Sequence, residues 1–419
     1  AEERTAVYNY LDAKWLQGGW DTGAYNHFTA WGGPDALTFT SDTTVGTPQD
    51  ASQHIAITPI SVAEGATATF AGPTTSAGFN FTGGGTLDFA GGTAQTGLLT
   101  QNGGTLSLGG GTFDTLANPV LTGDVRWENG TYLLNFYGEF RPLDNATLTL
   151  GNGARVIKDC YWRTFIDKGV TLTLEAGSYM EVPGPMCVAC DYATANVLNL
   201  AGGTLVVTNS TENNTVSANS LTIMTQQKNG SATLNMTSGR IVTTKFRVAA
   251  DWNSYGVGVK GTGTVNVTGG SIETLDCVEV GSTHASIIGT AFLYFNGGEV
   301  TAPNGIRLYR DDHDTLVFNG TVFHATADCA KYLDFRKNVG SLTTLAAGGL
   351  PIDVAADKKV TLGWGLVGEG GLVKRGAGTL TLDKAASFEG GVVVEAGTLV
   401  LGDSAATGTG PIQVRSGAT

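Results

Sequence analysis

A short pattern that recurs five times constrains the fold of this chain most strongly. Each copy is a strand-like stretch with a Gly-rich or small turn, followed by a second short strand, and successive copies begin 36, 31, 28 and 23 residues apart. The copies cover residues 198–207, 234–243, 265–274, 293–302 and 316–325. Alternate residues within a copy are apolar, as in a strand with one buried face. Repetition at these intervals predicts a solenoid, a propeller or an array.

The composition supports an all-β solenoid. The chain has 419 residues, of which 61 are Gly and only 15% are charged, and its apolar fraction of 41% is enough for a continuous core. Gly allows tight corners, and the abundant Thr and Val suit pleated strands. Helical periodicity is nearly absent, and residues 5–16 are the best helix candidate. Length alone suggests two or three domains, but a solenoid grows by adding rungs.

The charge and hydropathy of the chain exclude several partners. A net charge of −13 argues against binding to nucleic acid or to an anionic membrane, and no run of 18 apolar residues is present to span a bilayer. The chain begins with Ala-Glu-Glu-Arg and without an initiator Met. This start is expected either of a mature end after removal of a signal peptide or of a fragment.

Changes in pattern divide the chain into four predicted parts. Residues 1–45 form an N-terminal cap rich in aromatic residues, 46–150 an irregular short-rung solenoid, 151–340 a longer-rung solenoid, and 341–419 the C-terminal rungs. A cap is expected because the open end of a solenoid exposes core and strand edges. A carbohydrate-binding platform is the alternative for the aromatic residues Trp15, Trp20 and Trp31.

The five cysteines give no clear metal or redox motif. Cys187 and Cys190 have CxxC spacing, but no second ligand pair follows to complete a zinc site, and the βαβ setting of a redox motif is missing. Positions 187 and 190 of an extended strand face opposite sides, so a buried and inert thiol is favoured. The odd count leaves at least one cysteine unpaired within a monomer.

The C-terminal residues 368–419 carry a family motif. Glycines recur between short apolar strands, and the matching residues are Gly371, Leu372, Val373, Lys374, Gly376, Ala377, Gly378, Thr379, Leu380, Thr381, Leu382, Phe388, Gly390, Gly391, Val394, Gly397, Thr398, Leu399, Val400 and Leu401, with Gly408, Thr409, Gly410, Ser416, Gly417, Ala418 and Thr419 as the continuation. This stretch closely resembles the autotransporter-associated β-strand repeat, also called the passenger-associated transport repeat. Ala386 and Ser387 stand where that repeat usually has Asn and Thr, which affects only a surface turn.

The resemblance implies a right-handed parallel β-helix on the outside of a bacterium. It implies no catalytic residues, because the repeat is a scaffold. No cofactor is predicted for the chain. The alternation of the motif predicts a set of inward side chains: Leu380, Leu382, Val392, Val394, Leu399 and Leu401. Parallel crossovers favour a right-handed coil.

Aligning the second strands of the middle repeats gives the best candidate site. The aligned segments are residues 186–192, 221–227, 246–252, 278–284, 306–312 and 333–339. One column of this alignment contains polar residues that would stack along an edge of the coil: Asp191, Gln226, Asp251, Thr283, Asp311 and Asn338. A structural corner ladder is the favoured interpretation, because Asp, Asn and Thr bind backbone amides at turns. Calcium is an alternative, but neutral residues interrupt the carboxylates, so no metal is predicted.

An enzymatic alternative rests on carboxylates near the same edge. Asp311, Asp312 and Asp314, together with Asp251, could form a general acid–base pair beside Trp252, which could stack on a sugar. No GxSxG nucleophile elbow is present. Hydrolase, lyase and sugar-binding functions therefore remain alternatives to a structural one.

The favoured function is structural. The chain is predicted to be a secreted or surface-displayed β-solenoid, the subunit of a stalk, matrix or fibre, with adhesion and contact with cell-surface glycans left open. An exposed last strand followed only by small residues after Arg415 predicts head-to-tail association with the aromatic N-terminal part of another copy. The alternative is that the chain was cut at this point or that further sequence caps the coil in the native protein.

Overall fold

The structure is a computed structural model, and it describes residues 37–45, 60–70, 74–76, 79–142, 144–159, 163–189, 194–208, 220–223, 230–250, 261–281, 289–309, 314–335 and 343–419. Every regular element within these ranges is a β-strand. The helix expected at 5–16 and Trp15, Trp20 and Trp31 of the predicted cap lie outside the described residues. The described part of the chain contains no helix of the length and apolarity needed to cross a membrane.

The chain divides into two compact units. The first contains the described residues up to 159 together with 177–179, and the second contains 163–176 and the described residues from 180 onward. The four parts proposed from the sequence remain predictions.

Fourteen strands lie between residues 37 and 158 in the first unit. They are β1 (Leu37–Phe39), β2 (Thr43–Val45), β3 (Ile60–Val62), β4 (Thr67–Phe70), β5 (Thr74–Ser76), β6 (Phe79–Thr82), β7 (Thr86–Asp88), β8 (Thr93–Thr96), β9 (Leu99–Ser107), β10 (Thr112–Thr115), β11 (Val120–Glu128), β12 (Gly130–Leu134), β13 (Thr147–Leu150) and β14 (Ala154–Lys158).

Parallel pairing stacks these strands into coils. β5, β8, β10, β12 and β14 form one side, and the two halves of β9 pair with β6 and β7 on the other sides. β9 turns the corner between its halves at Gly103 and Gly104, where φ is +74° and +71°. The aromatic side chains of successive coils pack inside, with Phe89 in ring contact with Phe70, Phe79 and Phe113.

The remaining strands lie in sequence from residue 164 to 414. They are β15 (Thr164–Ile166), β16 (Thr171–Glu175), β17 (Tyr179–Val182), β18 (Met186–Val188), β19 (Ala195–Val207), β20 (Ser220–Ile223), β21 (Ser231–Thr243), β22 (Lys245–Val248), β23 (Thr262–Val267), β24 (Ser271–Thr274), β25 (Val278–Val280), β26 (Thr290–Phe295), β27 (Glu299–Thr301), β28 (Ile306–Leu308), β29 (Thr315–Phe318), β30 (Val322–Ala325), β31 (Leu333–Phe335), β32 (Thr343–Leu345), β33 (Leu350–Val354), β34 (Lys359–Leu362), β35 (Val367–Gly368), β36 (Leu372–Arg375), β37 (Thr379–Leu382), β38 (Ser387–Phe388), β39 (Val392–Val394), β40 (Thr398–Leu401) and β41 (Ile412–Val414).

The five sequence repeats stack in register in the second unit. Leu198, Leu234, Val265, Leu293 and Leu316, which begin the repeats, are successive partners in β19, β21, β23, β26 and β29. A second face carries the later halves of β19 and β21, followed by β24, β27, β30, β33, β36, β39 and β41. The predicted all-β parallel β-helix is thus confirmed, and its right hand stays an expectation from the crossover rule.

The C-terminal coils bury most of the predicted inward residues. Leu380, Leu382, Val392 and Val394 lie in the core. Leu399 and Leu401 share register with the core residues Leu380 and Leu382, but Leu399 is only half-buried and Leu401 is 48% exposed, so the burial expected of these two residues is wrong. The reason is positional: β40 is the outermost strand of the sheet β34–β37–β40, so its side chains are covered on one side only.

One inward position holds a lysine. Lys374 is fully buried between Ile352 and Val394, its partners on the neighbouring coils. Its Nζ donates hydrogen bonds to the carbonyl oxygens of Arg375, Gly376 and Ala396 at 2.7, 2.7 and 3.0 Å. This amine therefore holds a corner of its own coil to the corner of the next coil.

Candidate functional site

A seven-stranded parallel sheet forms the third face of the middle coils. Its strands are β15, β18, β20, β22, β25, β28 and β31. Six of these strands, β18, β20, β22, β25, β28 and β31, begin the six segments that were aligned from the sequence. Residues aligned in the sequence are partners in the parallel pairing of these strands. The middle residues of these strands form one column on the face opposite the core: Cys187, Thr222, Arg247, Glu279, Arg307 and Asp334.

This outward face is covered over much of its length. Arg247 and Glu279 each retain only 6% exposure, and Thr222 is fully buried. Outward residues elsewhere in the second unit, such as those of β23 and β26, are half-buried. Charged side chains are rarely buried unless they are paired, so Arg247 and Glu279 need hydrogen-bonding partners of opposite charge.

Glu279 is the centre of that network. Its Oε1 lies 2.8 Å from Lys245 Nζ and its Oε2 lies 2.8 Å from Arg247 Nε. The Tyr309 hydroxyl donates to Oε1 at 3.3 Å, and Arg307 approaches the same oxygen from the next coil at 3.9 Å. Three cations and one phenol therefore surround a single carboxylate.

Asp276 adds a second carboxylate at the corner before β25. Its Oδ2 lies 3.4 Å from Lys245 Nζ, and its Oδ1 accepts a hydrogen bond of 2.7 Å from Asn304 Nδ2. Arg307 lies 3.8 Å away on the next coil. Lys245 and Arg307 thus each contact both carboxylates, which joins the side chains of three coils into the cluster Lys245, Arg247, Asp276, Glu279, Arg307 and Tyr309 (the charged cluster).

The cations keep both carboxylates ionised. Burial by itself raises the pKa of Glu279, but Arg247 and Lys245 outweigh burial and hold that pKa below its usual range. Burial also raises the pKa of Asp276. The hydrogen bond from Asn304 and the charges of Lys245 and Arg307 outweigh burial, so the pKa of Asp276 is lowered. Neither carboxyl is therefore poised to donate a proton near neutral pH.

The other titratable groups of the site are held in their protonated forms. Burial, with Glu279 and Asp276 close by, raises the pKa of the Cys277 thiol to about 12. Burial and the charge of Glu279 also raise the pKa of Tyr309. A thiol is a weak nucleophile unless it ionises, so Cys277 does not have the properties of a catalytic cysteine.

The structure describes little of the polar column predicted from the sequence. Asp191, Gln226, Asp251, Thr283, Asp311 and Asn338 all lie outside the described residues, as do Trp252 and Asp312. Of the alternative catalytic residues only Asp314 is described: it is buried, and its Oδ1 accepts a hydrogen bond of 2.7 Å from the amide of Ala291. The predicted column and the predicted catalytic group remain predictions.

The cysteines require one correction. Cys187 is disulfide-bonded, whereas the sequence favoured an inert thiol at this position. Cys277 and Cys329 are free, and Cys160 and Cys190 lie outside the described residues. Spacing within one strand gave no guide to pairing, because a disulfide depends on which cysteines approach each other in space.

The charged cluster was missed by sequence reasoning although the alignment contained its signal. In the aligned segments Arg247, Glu279, Arg307 and Asp334 occupy one column, and their charges alternate from coil to coil. The polar column that was chosen lies four residues further along. Alternation of charge down a column of parallel strands is the signal that identifies the cluster, because stacked side chains of opposite charge attract.

Comparison with known proteins identifies one repeat. The Passenger-associated-transport-repeat family matches residues 372–401, the stretch from the start of β36 to the end of β40. The chain therefore contains a passenger-associated transport repeat within a parallel β-helix. No curated protein and no solved structure matches the chain. A repeat of this family is typical of autotransporter passenger-type β-helices, a class that is secreted or displayed at the cell surface.

Proposed function

We propose that this passenger-associated transport repeat protein is a structural, non-catalytic element outside the cell, the subunit of a stalk, matrix or fibre. The observation that carries the proposal is the chemistry of the charged cluster. Its carboxylates have lowered pKa values and are held by cations from neighbouring coils. Such a network ties coils together instead of transferring protons.

The enzymatic alternative, glycoside hydrolysis, requires carboxyl pKa values that differ from those of the charged cluster. Glycoside hydrolysis needs one carboxyl with a raised pKa as general acid and a second carboxylate as base or nucleophile. Glu279 and Asp276 are both shifted away from the acid role. Enzymatic activity at Asp251, Asp311, Asp312 and Asp314 stays the alternative, and it concerns mainly residues that the structure does not describe.

An activity assay separates the structural proposal from the enzymatic alternative. The full chain is incubated with neutral and acidic polysaccharides, and new reducing ends and unsaturated uronates are measured. We expect no product from the wild type. Product that disappears in Asp251→Asn and Asp311→Asn, and persists in Glu273→Gln as the surface control, would establish the enzyme instead.

We also propose that copies associate end to end. Support comes from β40 and β41, where the apolar side chains Val400, Leu401, Ile412 and Val414 are all exposed. A group of exposed apolar side chains favours burial against a partner surface. Electron microscopy and sedimentation of wild type against the double variant Ile412→Lys and Val414→Lys test this contact: fibres or oligomers are expected only for the wild type, and a monomeric wild type at high concentration refutes it.

A further inference from the structure

One face of the second unit has no charged side chains over four consecutive coils. It consists of the outward residues of β23, β26 and the first halves of β19 and β21, which are Ala195, Val197, Asn199, Ser231, Thr233, Asn235, Thr262, Thr264, Asn266, Thr290, Phe292 and Tyr294 (the neutral face). All of them are at least partly exposed. A chain with a net charge of −13 thus presents, on these four strands, a surface of hydroxyls, amides and rings without a carboxylate.

A ladder of amide hydrogen bonds runs along the centre of the neutral face. Asn235 Nδ2 donates to Asn199 Oδ1 at 3.0 Å, and Asn266 Nδ2 donates to Asn235 Oδ1 at 2.9 Å. Asn199 Nδ2 extends the ladder to Thr173 Oγ1 at 3.2 Å. These bonds fix the amides in one orientation. Each amide nitrogen has a second proton and each amide oxygen a second lone pair, so a linked row can still bind a ligand.

Two aromatic rings continue the face on the next coil. Tyr294 follows Asn266 in the central column, and Phe292 follows Thr264 in the column beside it. Both rings are partly exposed. A tyrosine combines an apolar ring face with a polar tip, which suits a ligand that has both apolar and hydroxylated surfaces.

We infer that the neutral face binds an extended, neutral, β-1,4-linked polysaccharide. A sugar ring offers C–H groups to Tyr294, and its hydroxyls match the donors and acceptors of the amide ladder. The absence of cationic side chains on the face gives an acidic polymer nothing to pair with. An extended ribbon of β-1,4-linked sugars can also follow a row of in-register side chains across several strands, whereas a compact ligand needs a concave pocket.

The columns set the direction of the bound chain. The central column Thr173, Asn199, Asn235, Asn266 and Tyr294 crosses five coils. At roughly 4.8 Å per coil it extends over about 19 Å, long enough for several sugar units. The polysaccharide would therefore lie across the strands, with one ring over Tyr294. This binding function goes beyond the structural role and does not depend on the charged cluster.

Affinity electrophoresis and calorimetry test the inference. The probes are hydroxyethyl cellulose, cellohexaose and chitohexaose, with polygalacturonate as the charged comparison. We expect the wild type to be retarded by the neutral polymers and not by polygalacturonate. Tyr294→Ala should weaken binding about tenfold, the scale expected from loss of one stacking contact, and Tyr294→Phe should restore most of it.

Two further variants separate binding from folding. Thr264→Lys places a charge on the face without removing a member of the amide ladder, and it should weaken binding while the melting temperature stays within a few degrees. Tyr137→Ala removes an exposed ring from the first unit and should bind like the wild type. The inference is overturned if no neutral polymer retards the wild type, if polygalacturonate binds as well, or if Tyr294→Ala and Tyr137→Ala behave alike.

Discussion

Glu279 and Glu273 of the second unit both form ion pairs with arginines, but the two pairs differ in burial. Glu279 is buried between Arg247 and Lys245, whereas Glu273 pairs with Arg240 at the surface, where the arginine side chain is 50% exposed. Removing one partner of a buried pair leaves an uncompensated charge in a medium of low polarity. An exposed pair contributes little, because water and salt screen it.

The first prediction compares the same substitution at both sites. Glu279→Gln should lower the free energy of unfolding by about 3–5 kcal/mol, because Arg247 and Lys245 lose their counter-charge. Glu273→Gln should cost less than about 1 kcal/mol. Denaturant titration of both variants measures the difference, and equal effects would show that the charged cluster is not stabilising.

The second prediction concerns acid. The pKa of Glu279 in the folded protein lies below that of the unfolded chain, so the stabilisation is complete above the unfolded value of about 4.3 and is lost as pH falls through the folded value. The melting temperature of the wild type should therefore fall more steeply below about pH 4.3 than that of Glu279→Gln. If the melting temperatures of the two proteins fall in parallel below that pH, the lowered pKa of Glu279 is contradicted.

The third prediction concerns Lys374. Burial lowers the pKa of this amine, so the unfolded chain holds the proton to higher pH than the folded one. Stability therefore rises with pH in the range just below the ordinary lysine value of about 10.4. Between pH 8 and 10.5 the wild type should gain stability relative to Lys374→Met. The exposed-site control Lys384→Met should show no such gain, and a loss of relative stability with rising pH would refute the assignment.

At the scale of strands, stacking decides which leucines carry the core. Leu382 and Leu401 are directly paired on β37 and β40, yet Leu382 is 4% exposed and Leu401 is 48% exposed. Leu382 has a coil on each side, with Leu362 as its other partner. Leucines in the same column therefore contribute different amounts of buried apolar surface to the stability of successive coils.

The fourth prediction follows from this pair. Leu382→Ala should lower the free energy of unfolding by about 2–5 kcal/mol through lost transfer energy and a residual cavity. Leu401→Ala, one coil further on, should cost under about 1 kcal/mol, since most of its area is already in water. Thermal and denaturant unfolding of the two variants provide the comparison, and similar costs would mean that Leu401 is covered in solution.

The strands and their register could be predicted because alternation and repeat spacing determine them. Leu198, Leu234 and Val265 begin repeats and are partners in the structure, so the sequence alignment equals the stacking order. The buried lysine and the charged cluster were less predictable than the strands. The alternation of apolar residues in β36 predicts that Lys374 points inward, whereas its charge predicts that it points outward. Only the structure shows the three carbonyl oxygens that accept hydrogen bonds from the buried amine. The charged cluster depends on the burial of an outward face, which a single strand sequence does not reveal.

At the scale of the whole molecule, each of the two units is an array of described coils that pair with their neighbours along the chain. Stability in such an array is nearly a sum of coil and interface terms, so damage should remain local. The fifth prediction is that Leu382→Ala speeds amide hydrogen exchange in β36, β37 and β39 and leaves β19 and β21 unchanged. Exchange that rises equally throughout the second unit would indicate one cooperative block.

The in-register stacking of the repeats has a consequence for how such a gene changes. Adjacent repeats begin between 23 and 36 residues apart, yet their strands meet at equivalent positions. Insertions and deletions at the corners therefore leave the pairing intact, and duplication of a whole coil supplies a surface that already fits its neighbours. Unequal recombination can lengthen or shorten this protein by one coil at a time, and selection then acts on its reach, with the fold preserved at every step.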